Sequence, residues 1–176
     1  MPSALITGGA GFIGCHLAKF LALQGQDVTI CDNLFRGKMD DRVEQLLENP
    51  NVHYIKCDLT NKDELGSIDS YDFIYHLAAI NGTRYFYEIP HTVLRVNVLA
   101  TINILDWFSE KQRGKILFSS SSEAYASAVR KGIAPIPTPE DVPLVVDDVF
   151  NPRWSYGGSK IVGELFFINY ARHFKF

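Results

Sequence analysis

A glycine-rich turn near the N-terminus limits the possible folds more than any other feature of the sequence. Gly8, Gly11 and Gly14 follow the apolar run 4–7, and a segment of helical period begins at Phe12. At this spacing the first glycine allows a sharp turn, the second lets the backbone approach a pyrophosphate, and the third lets the helix pack close to the strand. The free N–H groups at the start of the helix also attract phosphates. These residues alone fit either a dinucleotide-binding turn or a plain glycine-rich turn.

Apolar runs of strand length alternate with segments of helical period along the chain. This repetition predicts an α/β protein, with a Rossmann-like doubly wound parallel sheet and helices on both faces. Predicted strands cover 4–7, 27–31, 52–57, 71–77 and 114–119; predicted helices cover 12–24, 40–48, 61–65, 91–109 and the chain from 155 onwards. Residues 125–153 hold five of the eight prolines and show no period, so they are predicted to form a long functional loop.

Composition excludes several classes of function. Hydrophobic residues make up 47% of the chain and charged residues 21%, which is typical of a globular protein. With a net charge of −3 and no long basic stretch, we expect no binding to nucleic acid or to a membrane. The N-terminus lacks a signal-peptide pattern, and three cysteines without C-x-x-C spacing predict free thiols in the cytoplasm rather than a disulfide or a metal site.

Asp32 closes the second predicted strand, 18 residues after Gly14. A carboxylate at this position can accept hydrogen bonds from the ribose hydroxyls of an adenosine, and it repels a 2′-phosphate. The prediction is therefore NAD rather than NADP, although Arg36 close by keeps NADP as an alternative.

Two further strand ends carry groups suited to the same cofactor. Asp58 and Leu59 follow the third strand, where an acid can hydrogen-bond the adenine amino group and a leucine can pack on the ring; a helix N-cap role for Asp58 fits equally well. Residues 77–79 follow the fourth strand and are small enough for the dinucleotide to approach the backbone. His76 ends an apolar strand and is interpreted as structural rather than as a base or a metal ligand.

Tyr156 and Lys160 lie four residues apart, on one face of the last predicted helix. A free tyrosine has a pKa of about 10 and is a poor base at neutral pH. A neighbouring cation stabilises the phenolate, so Tyr156 is a candidate general base with Lys160 beside it. An exposed contact between the two side chains is the alternative.

Four consecutive serines, 119–122, follow the fifth predicted strand at the carboxyl edge of the sheet, where folds of this type place their ligands. A hydroxyl here can hydrogen-bond a sugar hydroxyl and pass its proton towards Tyr156. Solvated serines at a polar strand exit are the alternative interpretation.

These motifs together resemble the extended short-chain dehydrogenases/reductases of the NAD-dependent epimerase/dehydratase group. The group includes nucleotide-sugar 4-epimerases, 4,6-dehydratases and UDP-glucuronate decarboxylases. The resemblance spans nearly the whole chain and rests on residues 7–14, 32–34, 58–59, 76–79, Asn97, 119–125, Tyr156 and Lys160. It implies an NAD-dependent enzyme that oxidises a sugar hydroxyl, usually at C4, to a keto intermediate and then regenerates its cofactor.

The resemblance also implies a role for each matched residue. Tyr156 would remove the proton of the sugar hydroxyl, Lys160 would hold the nicotinamide ribose and lower the pKa of Tyr156, and Ser121 matches the family's catalytic Ser/Thr. Glu123 is implied as a fourth catalytic residue, with a helix or loop anchor as its alternative role. The residues implied to bind the cofactor are Gly8, Gly11, Phe12, Ile13, Gly14, Asp32, Asn33, Asp58, Leu59, Leu77, Ala78, Ala79, Asn97, Ser119, Tyr156 and Lys160.

The segment around the implied catalytic serine bears on the type of reaction. Ser121-Ser122-Glu123 is similar to the Thr-Ser-Glu of decarboxylases, whereas typical dTDP-glucose 4,6-dehydratases carry Asp at the position of Ser122. Residues 151–156 also resemble the approach to the tyrosine in bacterial UDP-glucuronic acid decarboxylases. The prediction is a nucleotide-sugar epimerase/dehydratase, with a UDP-glucuronate decarboxylase-like activity as the alternative.

Members of the family are about twice as long as this chain once a sugar-binding domain is counted. We therefore expect residues 1–176 to be one NAD-binding domain, truncated before the C-terminal substrate domain and poorly active alone. A non-catalytic NAD-binding module or pseudoenzyme is the alternative of another class. The expected partners are a UDP-sugar and a second copy of the chain, joined through helices 91–109 and 155–174, with residues 166–168 on the shared face.

Overall fold

Five parallel strands form one sheet in the computed structural model, which describes residues 1–111 and 113–176. The strands are β1 (Ser3–Thr7), β2 (Asp27–Asp32), β3 (Val52–Lys56), β4 (Phe73–His76) and β5 (Lys115–Phe118). They pair in the order β3-β2-β1-β4-β5, and every pair is parallel, so the predicted doubly wound α/β sheet is confirmed. The strand order reverses between β1 and β4, and sheets of this kind open a ligand crevice there, at the carboxyl ends.

Helices fill the connections between the strands. They are α1 (Phe12–Leu23), α2 (Asp41–Leu47), α3 (Lys62–Gly66), α4 (Thr83–Glu88), α5 (Pro90–Lys111), α6 (Ala126–Arg130) and α7 (Trp154–Phe174), with a 3-10 turn at Ser122–Ala124. The sequence pattern did not predict α4, α6 or the 3-10 turn, because each is too short to show a helical period. Since α6 lies inside the segment predicted to be loop, the long loop is confined to residues 131–153, which are all described.

Side chains at alternate strand positions pack against opposite helical layers. In β1, Ala4 and Ile6 join the apolar cluster beneath α1 and α2, whereas Leu5 joins the cluster beneath α3 and α5. Ile104 and Phe108 of α5 are fully buried in that second cluster. Helices thus cover both faces of the sheet, which explains why β1 is apolar along most of its length.

Helix α1 packs on the sheet through its smaller residues. Its buried positions are Gly14, Cys15, Ala18, Leu21 and Ala22. Phe12, Ile13 and Phe20, which help to define the helical period in the sequence, are 70%, 65% and 59% exposed. The start of α1 lies so close to the glycine-rich turn that a Cβ on Gly14 would be 2.5 Å from the carbonyl oxygen of Gly8, so only small residues fit on this part of the helix face. Large side chains therefore occupy the far face of α1 and the rim of the crevice.

Candidate active site

A cavity of about 410 Å³ opens at the carboxyl ends of the strands. Segments that follow all five strands form its wall, together with α5 and the first turns of α7. All the residues predicted for the cofactor site line this cavity: Gly8, Gly11, Phe12, Ile13, Gly14, Asp32, Asn33, Asp58, Leu59, Leu77, Ala78, Ala79, Asn97, Ser119, Tyr156 and Lys160. The structure brings them together in one place, and their role in binding a cofactor stays a prediction.

Sequence reasoning missed other residues that line the same cavity. They are Cys31, Phe35, Gly37, Cys57, Thr60, Ile80, Asn81, Thr92, Val96 and Ala100. Most lie within a few residues of a predicted position, so extending each strand-end motif would have found them. Thr92, Val96 and Ala100 recur every four residues along α5, and this spacing is the signal that marks one helix face.

The glycine-rich turn forms its part of the wall with backbone alone. Gly8 has a φ of 71°, and a Cβ there would lie 2.9 Å from the backbone of Ala78 at the end of the neighbouring strand. Gly11 is the N-cap of α1; no side chain caps this fully described helix, and no acidic residue occupies its first turn. The N–H groups of that turn are therefore available to an anion, as the pyrophosphate of a dinucleotide requires.

Asp32 ends β2 and is 8% exposed. Its carboxylate accepts hydrogen bonds from the N–H of Leu34 at 2.8 Å and the N–H of Ala10 at 3.2 Å. Burial raises the pKa of Asp32, and these two hydrogen bonds oppose the rise. Each oxygen keeps a further lone pair, which suits a ribose diol. Arg36 also lines the cavity, with its guanidinium 5.4 Å from the centre of the Tyr85 ring.

Asp58 follows β3 and is held by its own turn. Its Oδ1 accepts hydrogen bonds from the N–H and the hydroxyl of Thr60, at 2.9 and 2.8 Å. Burial raises the pKa of Asp58, but hydrogen bonds from Thr60 and Asn33 outweigh that effect and hold the pKa below its ordinary value. The N-cap of α3 is Asn61, whose side chain accepts from the N–H of Asp63 at 3.1 Å. The alternative role of Asp58 as the N-cap is therefore wrong.

Two polar side chains beneath the cavity are buried and hydrogen-bonded within the protein. His76 is 1% exposed and its Nδ1 lies 2.8 Å from the Thr7 hydroxyl. Burial, with a smaller effect from Lys160, lowers the pKa of His76 to about 3, so the ring is neutral, as a structural role requires. Asn97 accepts from the N–H of Ile80 at 2.7 Å and donates to the Ser159 hydroxyl at 3.1 Å. It therefore ties the cavity wall to α7.

Tyr156 and Lys160 lie in the first turns of α7 and are only 7% and 4% exposed. The Lys160 ammonium donates to the carbonyl oxygen of Ser119 at 2.7 Å and lies 5.7 Å from the centre of the Tyr156 ring. Burial lowers the pKa of Lys160 to about 8. The alternative of an exposed Tyr-Lys contact is wrong, because both side chains are buried where α7 meets the cavity.

The pKa of Tyr156 departs from the expectation that Lys160 lowers it. Burial raises this pKa above its ordinary value, a hydrogen bond with Ser121 lowers it, and the negative charge of Glu123 raises it. The reason is desolvation, since taking the phenol out of water disfavours the phenolate more than its neighbours stabilise it.

Ser121 and Glu123, both predicted to be catalytic, lie beside Tyr156 but are not among the residues that line the cavity. The Ser121 hydroxyl accepts from the N–H of Glu123 at 3.2 Å and so caps the 3-10 turn. The Glu123 carboxylate accepts two hydrogen bonds from Arg153, at 2.7 and 3.2 Å. Glu123 thus anchors the turn to the start of α7, and a catalytic role for it stays a prediction.

The outer face of α7 differs from the predicted dimer face. Phe167 packs inward, with its ring centre 4.7 Å from that of Phe118, and Phe166 is half-buried. The exposed apolar residues here are Leu165 and Ile168, at 57% and 47%. The correction follows from the helical period, which directs neighbouring residues to different faces.

Among the residues that the structure describes, no helix combines the length and the apolar character needed to cross a membrane.

Comparison with known proteins gives a consistent result. The sequence profile of the NAD dependent epimerase/dehydratase family matches residues 4–176. A UDP-N-acetyl-alpha-D-glucosaminuronate decarboxylase of Bacillus cytotoxicus is 36% identical over 167 residues, which cover 95% of this chain and 49% of the relative. A UDP-glucose 4-epimerase of Cyamopsis tetragonoloba is 33% identical over 168 residues, covering 91% of this chain and 44% of the relative.

Solved structures share the fold. A crystal structure of a UDP-galactose 4-epimerase superposes with a TM-score of 0.82 at 32% identity, covering 98% of this chain and 52% of that one. The UDP-glucose 4-epimerase of Bifidobacterium longum, solved with NAD+ and UDP, gives a TM-score of 0.83 at 26% identity and covers 97% and 49% of the two chains. This chain spans about half the length of the relatives it matches.

Proposed function

Because the chain belongs to the NAD dependent epimerase/dehydratase family, we propose that it binds NAD in the cavity and oxidises a hydroxyl of a nucleotide-linked sugar. The main support for the proposal is that two groups of residues line the same cavity. Tyr156 and Lys160 border it from α7, and the glycine-rich turn with Asp32 borders it from the sheet. A dinucleotide bound along the strand ends would reach from one group to the other.

The residues of the cavity suit NAD. The uncapped first turn of α1 offers N–H groups to the pyrophosphate, and Gly8 and Gly11 both line the cavity beside that turn. The Asp32 carboxylate suits the adenosine ribose and disfavours a 2′-phosphate. When bound beside these residues, NAD would supply a reversible acceptor for the hydride of the sugar carbon.

The chain's own residues would handle the proton. Tyr156 would remove it from the sugar hydroxyl, at C4 in our proposal, and Ser121, which lowers the pKa of Tyr156, would help to pass the proton to it. Lys160, with a pKa of about 8, stays largely protonated at neutral pH and would hold the nicotinamide ribose. Its charge also supports the phenolate, which burial alone disfavours.

A uronate decarboxylase is the second candidate. Three observations favour it: the Ser121-Ser122-Glu123 sequence, the Arg153 pair that fixes Glu123, and the decarboxylase relative described above. Ser122 lacks the acidic proton donor that a 4,6-dehydratase needs. In both candidates the first step is the same oxidation, and the fate of the keto sugar differs.

The proposal extends to partners and organisation. Residues 1–176 would form the NAD-binding domain, and the substrate would be a UDP-sugar. A homodimer would form through the outer faces of α5 and α7, where Leu94, Leu165 and Ile168 are exposed. A non-catalytic NAD-binding module is the competing proposal, and the presence of Ser121, Tyr156 and Lys160 together weighs against it.

Calorimetry with NAD tests the cofactor half of the proposal. Asp32→Ala should weaken NAD binding by roughly tenfold to a hundredfold, because it removes an ionised acceptor of two hydrogen bonds. Asp27→Ala is the matched control, since Asp27 lies at the opposite end of the same strand and its carboxylate hydrogen-bonds the exposed His53 at 3.0 Å. NADP should bind more weakly than NAD. Equal effects of the two substitutions would contradict the proposal.

A single-turnover experiment tests the chemistry. The chain, in excess and loaded with NAD, is mixed with UDP-hexoses or UDP-hexuronates, and NADH absorbance is followed. Tyr156→Phe should abolish NADH formation while leaving NAD bound. Release of carbon dioxide from a UDP-hexuronate would select the decarboxylase, and an epimerised UDP-hexose would select the epimerase. NAD binding with no NADH from any UDP-sugar would contradict oxidation by residues 1–176 alone, as expected either for a non-catalytic module or for a chain that needs a substrate domain.

A further inference from the structure

Two arginines lie against the indole of Trp154 at the start of α7. The guanidinium carbons of Arg130 and Arg153 are each 5.9 Å from the Trp154 ring. Each arginine is paired with a different carboxylate, Arg130 with Asp147 and Arg153 with Glu123. The two ion pairs are therefore chemically alike, and both lie beside Trp154. Their carboxylates, Asp147 and Glu123, lie in different surroundings.

The Glu123 pair lies directly beside Tyr156. The carbonyl oxygen of Glu123 is only 3.0 Å from the place a Cβ would occupy on Gly157, the residue after Tyr156. The N–H of Glu123 donates to the hydroxyl of Ser121 at 3.2 Å, and Ser121 lowers the pKa of Tyr156. The 3-10 turn thus packs on the first turn of α7, in which Tyr156 lies.

Several groups face Tyr156 from the elements packed around it. Lys160 approaches from the same helix, Glu123 and Ser121 from the 3-10 turn, and Tyr85 from α4 packs in the same apolar cluster. Of these, Glu123 carries the negative charge, which opposes ionisation of the phenol. An uncompensated Glu123 would therefore oppose the use of Tyr156 as a base.

We propose that Arg153 is a positioning residue for Tyr156, because its two hydrogen bonds hold the Glu123 carboxylate in place and compensate its charge beside the phenol. The guanidinium fork matches a carboxylate in a way that an ammonium cannot. This role rests on the proposed function of Tyr156 as the base. The effect of the ion pair on the phenol is nevertheless measurable without a substrate.

The test is a titration of Tyr156 in the full chain. Near-ultraviolet absorbance of tyrosinate is recorded for each protein and for the same protein carrying Tyr156→Phe, and the difference isolates Tyr156. In Arg153→Gln the acid dissociation constant of Tyr156 should fall by roughly threefold to tenfold. Arg130→Gln, the matched control at the same distance from Trp154, should leave it unchanged. Adding Glu123→Gln to Arg153→Gln should restore it.

Circular dichroism checks that each variant folds. If Arg153→Gln does not fold, two other variants replace it. Arg153→Lys keeps the charge but loses the guanidinium fork, and should lower the acid dissociation constant of Tyr156 by less. Glu123→Gln alone should raise that constant. An unchanged value in Arg153→Gln, or an equal fall in Arg130→Gln, would overturn the proposal. NAD calorimetry is run in parallel, so a failure of the proposed cofactor site is seen separately from the titration result.

Discussion

The two sides of the cavity are built by different means. On the side of Gly8 and Asp32, backbone at the ends of parallel strands forms the wall, and neighbouring strand ends touch directly, as Gly8 and Ala78 do. On the side of Tyr156, side chains far apart in the sequence hold the parts together, as the Arg153–Glu123 and Arg130–Asp147 pairs do. The first kind of construction depends on the space left by absent side chains, and the second depends on charge.

This difference determines what each side tolerates. Backbone packing gives way only when the chain moves, so a single added methyl group should be costly there. Exposed or half-exposed ion pairs contribute little to overall stability, but they fix where a carboxylate sits. Substitutions that affect only one of the two sides therefore test this difference.

Gly14→Ala should have the largest effect. Its new Cβ would lie 2.5 Å from the Gly8 carbonyl oxygen and 2.6 Å from the Gly9 Cα. We expect a loss of roughly 2–3 kcal/mol in stability and a fall of about a hundredfold in NAD affinity, measured by urea unfolding and calorimetry. Gly158→Ala in α7, whose Cβ would meet only a Val146 methyl group at 4.0 Å, should instead stabilise by about 0.5–1 kcal/mol. Similar losses of stability and NAD affinity in the two variants would contradict the proposed difference between the two sides of the cavity.

His76 should make stability fall in mildly acidic solution. Its pKa is about 3 in the folded chain against an ordinary value of 6.5, so only the unfolded chain takes up the proton between these values. Stability is complete above 6.5 and is lost as the pH falls, by about 1.4 kcal/mol per pH unit at most, or roughly 2 kcal/mol by about pH 5.

Urea unfolding at a series of pH values measures this slope. His76→Gln should flatten it in this window. A slope that survives His76→Gln would assign the pH dependence to other groups.

Asp147→Asn should make the long loop on the side of Tyr156 more mobile without affecting the side of Gly8 and Asp32. Asp147 accepts from Arg130 Nε at 3.0 Å and from the Ser127 hydroxyl at 3.1 Å, and so joins the long loop to α6. We expect cleavage of residues 131–146 by a protease of broad specificity to accelerate roughly threefold, with NAD affinity unchanged. Asp141→Asn, which removes a charge from an exposed position in the same loop, is the control and should show no acceleration.

Leu165→Asn combined with Ile168→Asn should have the smallest effect on stability, within about 0.5 kcal/mol, because both side chains are exposed. The same pair should reduce the dimer fraction in analytical ultracentrifugation if the outer face of α7 joins two copies. Phe20→Asn with Leu23→Asn on α1 is the matched pair, at 59% and 71% exposure, and should leave association unchanged. An unchanged dimer fraction in the α7 variant would contradict the proposed interface.

Local motifs predicted which residues meet on the side of Gly8 and Asp32, because each motif is continuous in the sequence. The glycine turn, Asp32, Asp58 and residues 77–79 all lie at strand ends, and parallel strands bring those ends to one edge. The fold class follows from the same alternation of strands and helices.

The geometry on the side of Tyr156 was predicted less completely, because it depends on partners that are distant in the sequence. Neither the sequence nor the periodicity shows that Glu123 pairs with Arg153, 30 positions later, or that Ser121 lies outside the cavity lining. The raised pKa of Tyr156 comes from desolvation, which a sequence does not display. Helices as short as α4 and α6 also escape a periodicity argument.

The bridge made by Asn97 sets the distance between the cavity wall at Ile80 and the Ser159 turn of α7 without involving residues 131–153. Residues 131–146, which precede Asp147 and Arg153, can therefore lengthen, shorten or change composition while the spacing of Ile80 and Ser159 is preserved. Variation of this kind would leave the cavity in place, and decarboxylases and epimerases both occur among the relatives of this chain.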